Sequence, residues 1–117
     1  MRDYTISDVL EILKSHTINN LKIIPHLEQR WLERDFEINY LVKCLFSQIP
    51  LSISKTYYNR FKLIYPHETK ESMDLYVIIE ISDDEYVSII TAYPEDKRRR
   101  EYERKRWKFV WIRLQIW

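Results

Sequence analysis

The sequence predicts an α+β domain in which amino-terminal helices pack on an antiparallel β-sheet, followed by a basic C-terminal helix and an extra terminal strand. Three observations predict it. Apolar residues in the first half recur every three or four positions, those in the second half alternate, and a base-rich run at 97–106 precedes a Trp-rich segment at 107–117. Helices first and hairpins afterwards place the helices on one sheet face and leave the other at least partly open to a ligand.

Each element has a local reason. Ser7, followed by Asp8, Val9, Ile12, Leu13 and His16, reads as the cap and inner stripe of a first helix. Asn19-Asn20 breaks that pattern, a short extended piece covers Leu21 to Ile24, and Pro25 opens a second helix where a missing N–H costs nothing. That helix ends at Asp35. Ile38, Leu41, Val42 and Leu45 mark the apolar face of a third, which Pro50 stops.

Alternation over Tyr57 to Tyr65, then Leu75 to Ile81, then Tyr86 to Tyr93 predicts three meandering antiparallel strands, with Asp83-Asp84 turning the last hairpin. Beyond Pro94, Glu95-Asp96 ahead of Lys97 and the arginines suits the helix macrodipole, acids first and bases last. Trp107 to Trp117 alternates aromatic and aliphatic residues, so both its faces need covering, by a sheet or by a second subunit.

Composition narrows the function. A chain of 117 residues, 45% hydrophobic and 32% charged, suits one domain over 1–117 with a core and a solvated surface. It has no Gly, where average usage would give roughly eight. Turns with positive φ must then use Asn or Asp or be avoided, and glycine-rich phosphate loops are excluded. The net charge of +1 hides a segment, 97–106, with seven bases and two acids, which leaves −4 for the remainder. Such a run is a solvated helix or a nucleic-acid footprint.

The single Cys44 excludes an internal disulfide and reads as a packed thiol, while His16, His26 and His67 lack the spacing of a helical metal pair. No apolar leader pattern follows Met1 and no apolar run reaches membrane-spanning length, so a cytoplasmic, non-membrane protein is expected.

The chemistry-bearing segment is Pro25-His26-Leu27-Glu28-Gln29-Arg30-Trp31-Leu32-Glu33-Arg34. His26 and Arg30 lie one helical turn apart with Arg34 on the next, beside the apolar pair Leu27 and Trp31. An imidazole moves protons near neutral pH and guanidinium groups neutralise phosphoryl oxygens, a combination suited to a phosphodiester. The alternative is a capping His26 with Arg30 and Arg34 ion-paired to Glu28, Glu33 or Asp35. Thr91 and Tyr93 share a strand face with Val87 and Ile89 and are read either as core or as site residues. Arg60 and Lys62 project together from the first predicted strand, and Tyr57, Tyr58 and Tyr65 are either packing or base-stacking groups.

These elements resemble the family catalogued as domain of unknown function 4258 (DUF4258), which is similar to the RelE and BrnT toxins, small ribonucleases with helices set against an antiparallel sheet. The resemblance covers about residues 24–95 and rests on the His26, Arg30 and Arg34 array, the helix around Asn39 to Phe46 and the late strand Ile89-Ile90-Thr91-Ala92-Tyr93. Two departures concern glycines: Asp35 follows Arg34 where the family has Gly, and Ser47-Gln48-Ile49-Pro50 lacks a helix-ending Gly.

What the resemblance implies is a metal-independent endoribonuclease of toxin type, needing no cofactor and held in check by an antitoxin-like inhibitor protein. In that reading His26 transfers the proton, Arg30 and Arg34 stabilise phosphoryl charge, and Tyr93 and Thr91 act as acid or orienting group and hydrogen-bond donor. Arg60, Lys62, Arg98, Arg99 and Arg100 hold the RNA backbone. The competing reading is a non-catalytic module binding nucleic acid or protein, with a homodimer formed through 107–117.

Overall fold

The computed structural model describes residues 2–15, 21–23 and 37–99. In chain order they form α1 (Ile6–Ser15), β1 (Leu21–Ile23), α2 (Ile38–Ser47), β2 (Ser52–Tyr57), β3 (Arg60–Pro66), β4 (Met73–Ile81) and β5 (Val87–Asp96). The class is α+β, with helices on a five-stranded sheet of order β1-β5-β4-β3-β2. The sheet is mixed where an antiparallel one was expected, because β1 runs parallel to β5 while the other three pairings are antiparallel. The helix expected over 25–34, the terminal strand over 107–117 and most of the basic helix lie outside the described residues; residues 97–99 are helical.

The first helix starts earlier than the Ser7 cap implies. Thr5 is its cap: Thr5 N–H donates to Asp8 Oδ2 at 2.9 Å and Asp8 N–H donates to Thr5 Oγ1 at 3.1 Å, so two otherwise orphaned amides are satisfied reciprocally. From that start, Val9, Ile12 and Leu13 fall on one buried stripe. On α2 the buried stripe is Leu41, Cys44 and Leu45, and Cys44 is the packed thiol its apolar context implies.

Both stripes meet the sheet face formed by Ile53, Phe61, Leu63, Tyr65, Leu75, Val77, Ile79 and their neighbours in one hydrophobic cluster. Fully burying each such side chain contributes about 1.5–3 kcal/mol, so this face holds the domain together. Tyr4, fully buried, ties the amino terminus to it by donating its hydroxyl to Ser82 O at 2.7 Å.

Three strand expectations are corrected. The run Tyr57 to Tyr65 is two strands, because Tyr58-Asn59 turns the chain from β2 into β3. A two-residue hairpin usually needs positive φ to match strand twist, and neither turn residue has it. An extra residue, Thr56, between the Lys55–Phe61 and Tyr57–Arg60 pairs takes up the mismatch as a bulge.

The last strand does not stop before Pro94 but runs to Asp96. β1 pairs only with Val87 to Ile89, so near Pro94 one edge of β5 carries no ladder among the described residues, and there a prolyl residue is tolerated. Finally, Ile78 pairs with Thr91 but Ile79 with Ile89, so Ile90 is an extra residue in β5. That bulge moves Thr91 and Tyr93 off the face of Val87 and Ile89 and puts Ala92 there instead.

Candidate nucleic-acid interface

The face opposite the helices is built in cross-strand rows. One row is Tyr57, Arg60, Glu80 and Ser88; the next is Ser54, Lys62, Ile78 and Thr91; a third is Ser52, Ile64, Tyr76 and Tyr93. Residues directly opposite on neighbouring strands share a face and lie about 5 Å apart. Arg60, Lys62, Thr91 and Tyr93, four residues singled out by sequence, therefore share one face across three strands. The β5 bulge is what brings Thr91 and Tyr93 to the cations of β3.

This face is open only in part. Ile64 and Tyr76 are 0% and 1% exposed, whereas the Arg60 row reaches solvent. Arg60 Nη2 donates to Glu80 Oε2 at 2.7 Å with both side chains more than a third exposed, a pair worth about 0.2–1 kcal/mol. An anion can compete for that guanidinium without unfolding anything. Lys62 Nζ lies 4.9 Å from the centre of the Tyr76 ring, and Tyr76 meets Tyr93 at 5.6 Å between ring centres. The ring quadrupole attracts the ammonium and holds it over Tyr76.

The basic residues predicted to act together are divided between two ends of the sheet. Arg60 opens β3 opposite Glu80, whereas Arg98 follows the end of β5, where Lys97 N–H donates to Ser72 O at 2.9 Å. At about 3.3 Å per strand residue these ends are on the order of 25 Å apart. Asp96 begins the helical turn there: its Oδ1 accepts Arg98 N–H at 2.8 Å and its two oxygens take the Arg98 guanidinium at 3.1 and 3.2 Å. The guanidinium first, then that amide, hold the Asp96 carboxyl below its usual range and raise Arg98 further. Arg98 and Arg99 are exposed. Arg100, and with it His26, Arg30 and Arg34, lies outside the described residues.

Two residues of the face escaped the sequence reading. Tyr76 sits opposite Leu75 and Val77 in alternation, a signal present in the sequence, but its contact with Lys62 depends on register. Glu80 is the ladder partner of Arg60, which likewise needs the register to be known. His67 belongs elsewhere, in the β3–β4 connection, where Nδ1 accepts the amides of Thr69 and Lys70 at 3.2 and 3.1 Å. That bonding within its own connection makes it a turn residue. Among the described residues no three His, Cys, Asp or Glu side chains converge as a metal site, and no helix is long and apolar enough to cross a membrane.

No family model, no curated protein and no solved structure matches the chain.

Proposed function

We propose that the protein acts on RNA as a metal-independent endoribonuclease of toxin type, with the Arg60–Lys62 face holding the phosphodiester backbone. The observation that carries this reading is that Arg60, Lys62, Thr91 and Tyr93 occupy one sheet face, with the Cα atoms of the two basic residues about 7 Å apart along β3 and a hydroxyl-bearing strand two positions across. Arg60 and Lys62 supply charge, and Thr91 and Tyr93 supply hydrogen-bond donors. His26, with Arg30 and Arg34 at helical spacing, supplies the reacting groups.

In this mechanism His26 takes the proton of an RNA 2′-hydroxyl, whose oxygen bonds to the adjacent phosphorus as the P–O5′ bond breaks. Tyr93 or the protonated His26 returns a proton to the departing 5′-oxygen. The products are a 2′,3′-cyclic phosphate and a 5′-hydroxyl end. Arg30 and Arg34 neutralise the non-bridging oxygens as charge builds on them. The resemblance to DUF4258 and to RelE and BrnT toxins supports the same reading, together with an antitoxin-type inhibitor as partner.

The test is incubation of mixed RNA with wild type and His26→Ala in the presence of chelator, with end-group analysis. Cyclic phosphate ends from wild type and at least a hundredfold slower cleavage by the variant are expected, since general acid–base groups contribute roughly 10²–10⁴-fold. Equal cleavage by both removes His26 from the mechanism. No cleavage by wild type favours the second reading, a non-catalytic module that binds nucleic acid or protein. One observation speaks for that module: the centre of the face, at Ile64 and Tyr76, is packed and not open. Salt-sensitive RNA retention without turnover, together with dimerisation through 107–117, would mark it.

A further inference from the structure

We infer that Tyr57, at the end of β2, and Tyr58, in the turn that follows it, form a stacking platform for the bases of single-stranded nucleic acid; the inference rests on the RNA reading above and adds the groups that contact the bases. A hairpin turn is usually made of Gly, Asn, Asp, Ser or Pro. Here one of the two turn residues is Tyr58, next to Tyr57 at the end of β2; each is 53% exposed, and among the described residues only Ile49 is a comparably exposed large apolar side chain. Their ring centres are 4.8 Å apart with planes tilted by 50°, so each ring restricts the rotamers of the other and little freedom is lost when a base lies on them.

The rings are not what holds the turn. Tyr58 O accepts Tyr4 N–H at 2.9 Å, Asn59 Nδ2 donates to Ile81 O at 2.9 Å, and Ile81 N–H donates to Asn59 O at 2.8 Å. Every one of those bonds uses backbone or the buried Asn59, and none uses a tyrosine side chain. Two half-exposed rings that take no part in those bonds offer surface to a ligand.

Charge identifies the ligand. Tyr57 is the ladder partner of Arg60, whose guanidinium is held by Glu80 in a solvent-reaching pair that a phosphate can replace, and Lys62 follows two residues along the same face, so two cations and one carboxylate lie beside the aromatic pair. Aromatic rings flanked by cations suit a strand whose phosphates follow the charges while its bases splay onto the rings. Duplex bases are already stacked on one another and cannot reach the turn without unpairing. The platform therefore prefers unpaired nucleotides.

The experiment uses a short 2′-O-methylated oligoribonucleotide, which lacks the attacking hydroxyl and is bound without being cleaved. Fluorescence anisotropy is measured with this probe single-stranded and annealed to its complement. Wild type is expected to bind the single strand more tightly. Tyr57→Ala and Tyr58→Ala should each weaken that binding by on the order of tenfold, while the Phe variants retain most of it and all melt like wild type. Equal binding by the Ala variants overturns the platform and leaves the cleavage reading standing. Equal affinity of wild type for duplex, or no binding by wild type, also overturns it, and the cleavage assay then judges the RNA reading separately. Concentration-dependent self-association that the Ala variants abolish, with RNA binding unchanged, would show the rings to be a protein contact and overturn it as well.

Discussion

Tyr40 links a helix to the sheet through one bond. Its hydroxyl leaves α2 and donates to Pro66 O at the end of β3 at 2.6 Å. Burial first, and then its contact with the Cys44 thiol, push the phenol from 10.0 up to about 12. A phenol whose folded pKa is raised holds its proton more tightly when folded, so its contribution is complete below pH 10 and is lost as pH climbs toward 12. Tyr40→Phe should cost about 1 kcal/mol near neutral pH, the usual net value of such a hydrogen bond. Urea midpoints of wild type and variant should approach each other between pH 10 and 12. A gap that stays constant across that range would show that the hydroxyl is not what holds α2 to β3.

At the scale of elements, the β4–β5 hairpin shows what a chain without glycine does at a turn. Ser82 closes it, accepting Glu85 N–H at 2.9 Å on its carbonyl and Tyr86 N–H at 3.0 Å on its hydroxyl, while Ser82 N–H donates to Tyr86 O at 2.9 Å. The geometry requires a left-handed residue, and it is Glu85, at φ 66°, where Asn or Asp was expected. A non-glycine residue there is disfavoured sterically, so Glu85→Gly should stabilise the domain by roughly 0.5–1 kcal/mol after the extra freedom of glycine in the unfolded chain is discounted. Thermal denaturation checks this, and a lowered midpoint would mean that the Glu85 side chain contributes more than its backbone costs.

The position of this turn was legible in Asp83-Asp84, but its left-handed residue was not, because the need for positive φ arises from strand pairing and not from residue type. The same holds for β2. Its Ser-Ile-Ser-Lys-Thr-Tyr composition is strand-compatible, yet nothing local divides it from β3 until the two are paired. Helical stripes were legible in most of their residues: Val9, Ile12, Leu13, Leu41 and Leu45 are buried as their period implies, whereas on α2 it is Cys44 and not the expected Val42 that completes the buried stripe. For the candidate site, Arg60 and Lys62 were legible as neighbours by alternation alone, while their association with Thr91 and Tyr93 was not.

For the whole molecule, one inserted residue decides which chemistry each face of the sheet carries. Plain alternation from Val87 would put Thr91 and Tyr93 among Phe61, Leu63 and the helices, and would leave Ala92 on the side of Arg60 and Lys62. With Ile90 bulged out, Ala92 is fully buried in the core opposite Val77, and Thr91 stands opposite Ile78 in the row of Lys62. The RNA reading needs this arrangement, since Thr91 and Tyr93 can join the β3 cations only on that face. Two substitutions with the same new carboxylate read it out. Ala92→Asp places an unpaired charge in the core and should cost roughly 3 kcal/mol or more, enough to remove a large part of the stability of a domain this size. Thr91→Asp, beside the Lys62 row, should cost about 1 kcal/mol or less. Urea unfolding of the two variants gives the comparison. If Thr91→Asp proves the more damaging, β5 is an unbulged strand, Thr91 and Tyr93 belong to the core, and the face opposite the helices loses two of the four residues proposed to contact RNA.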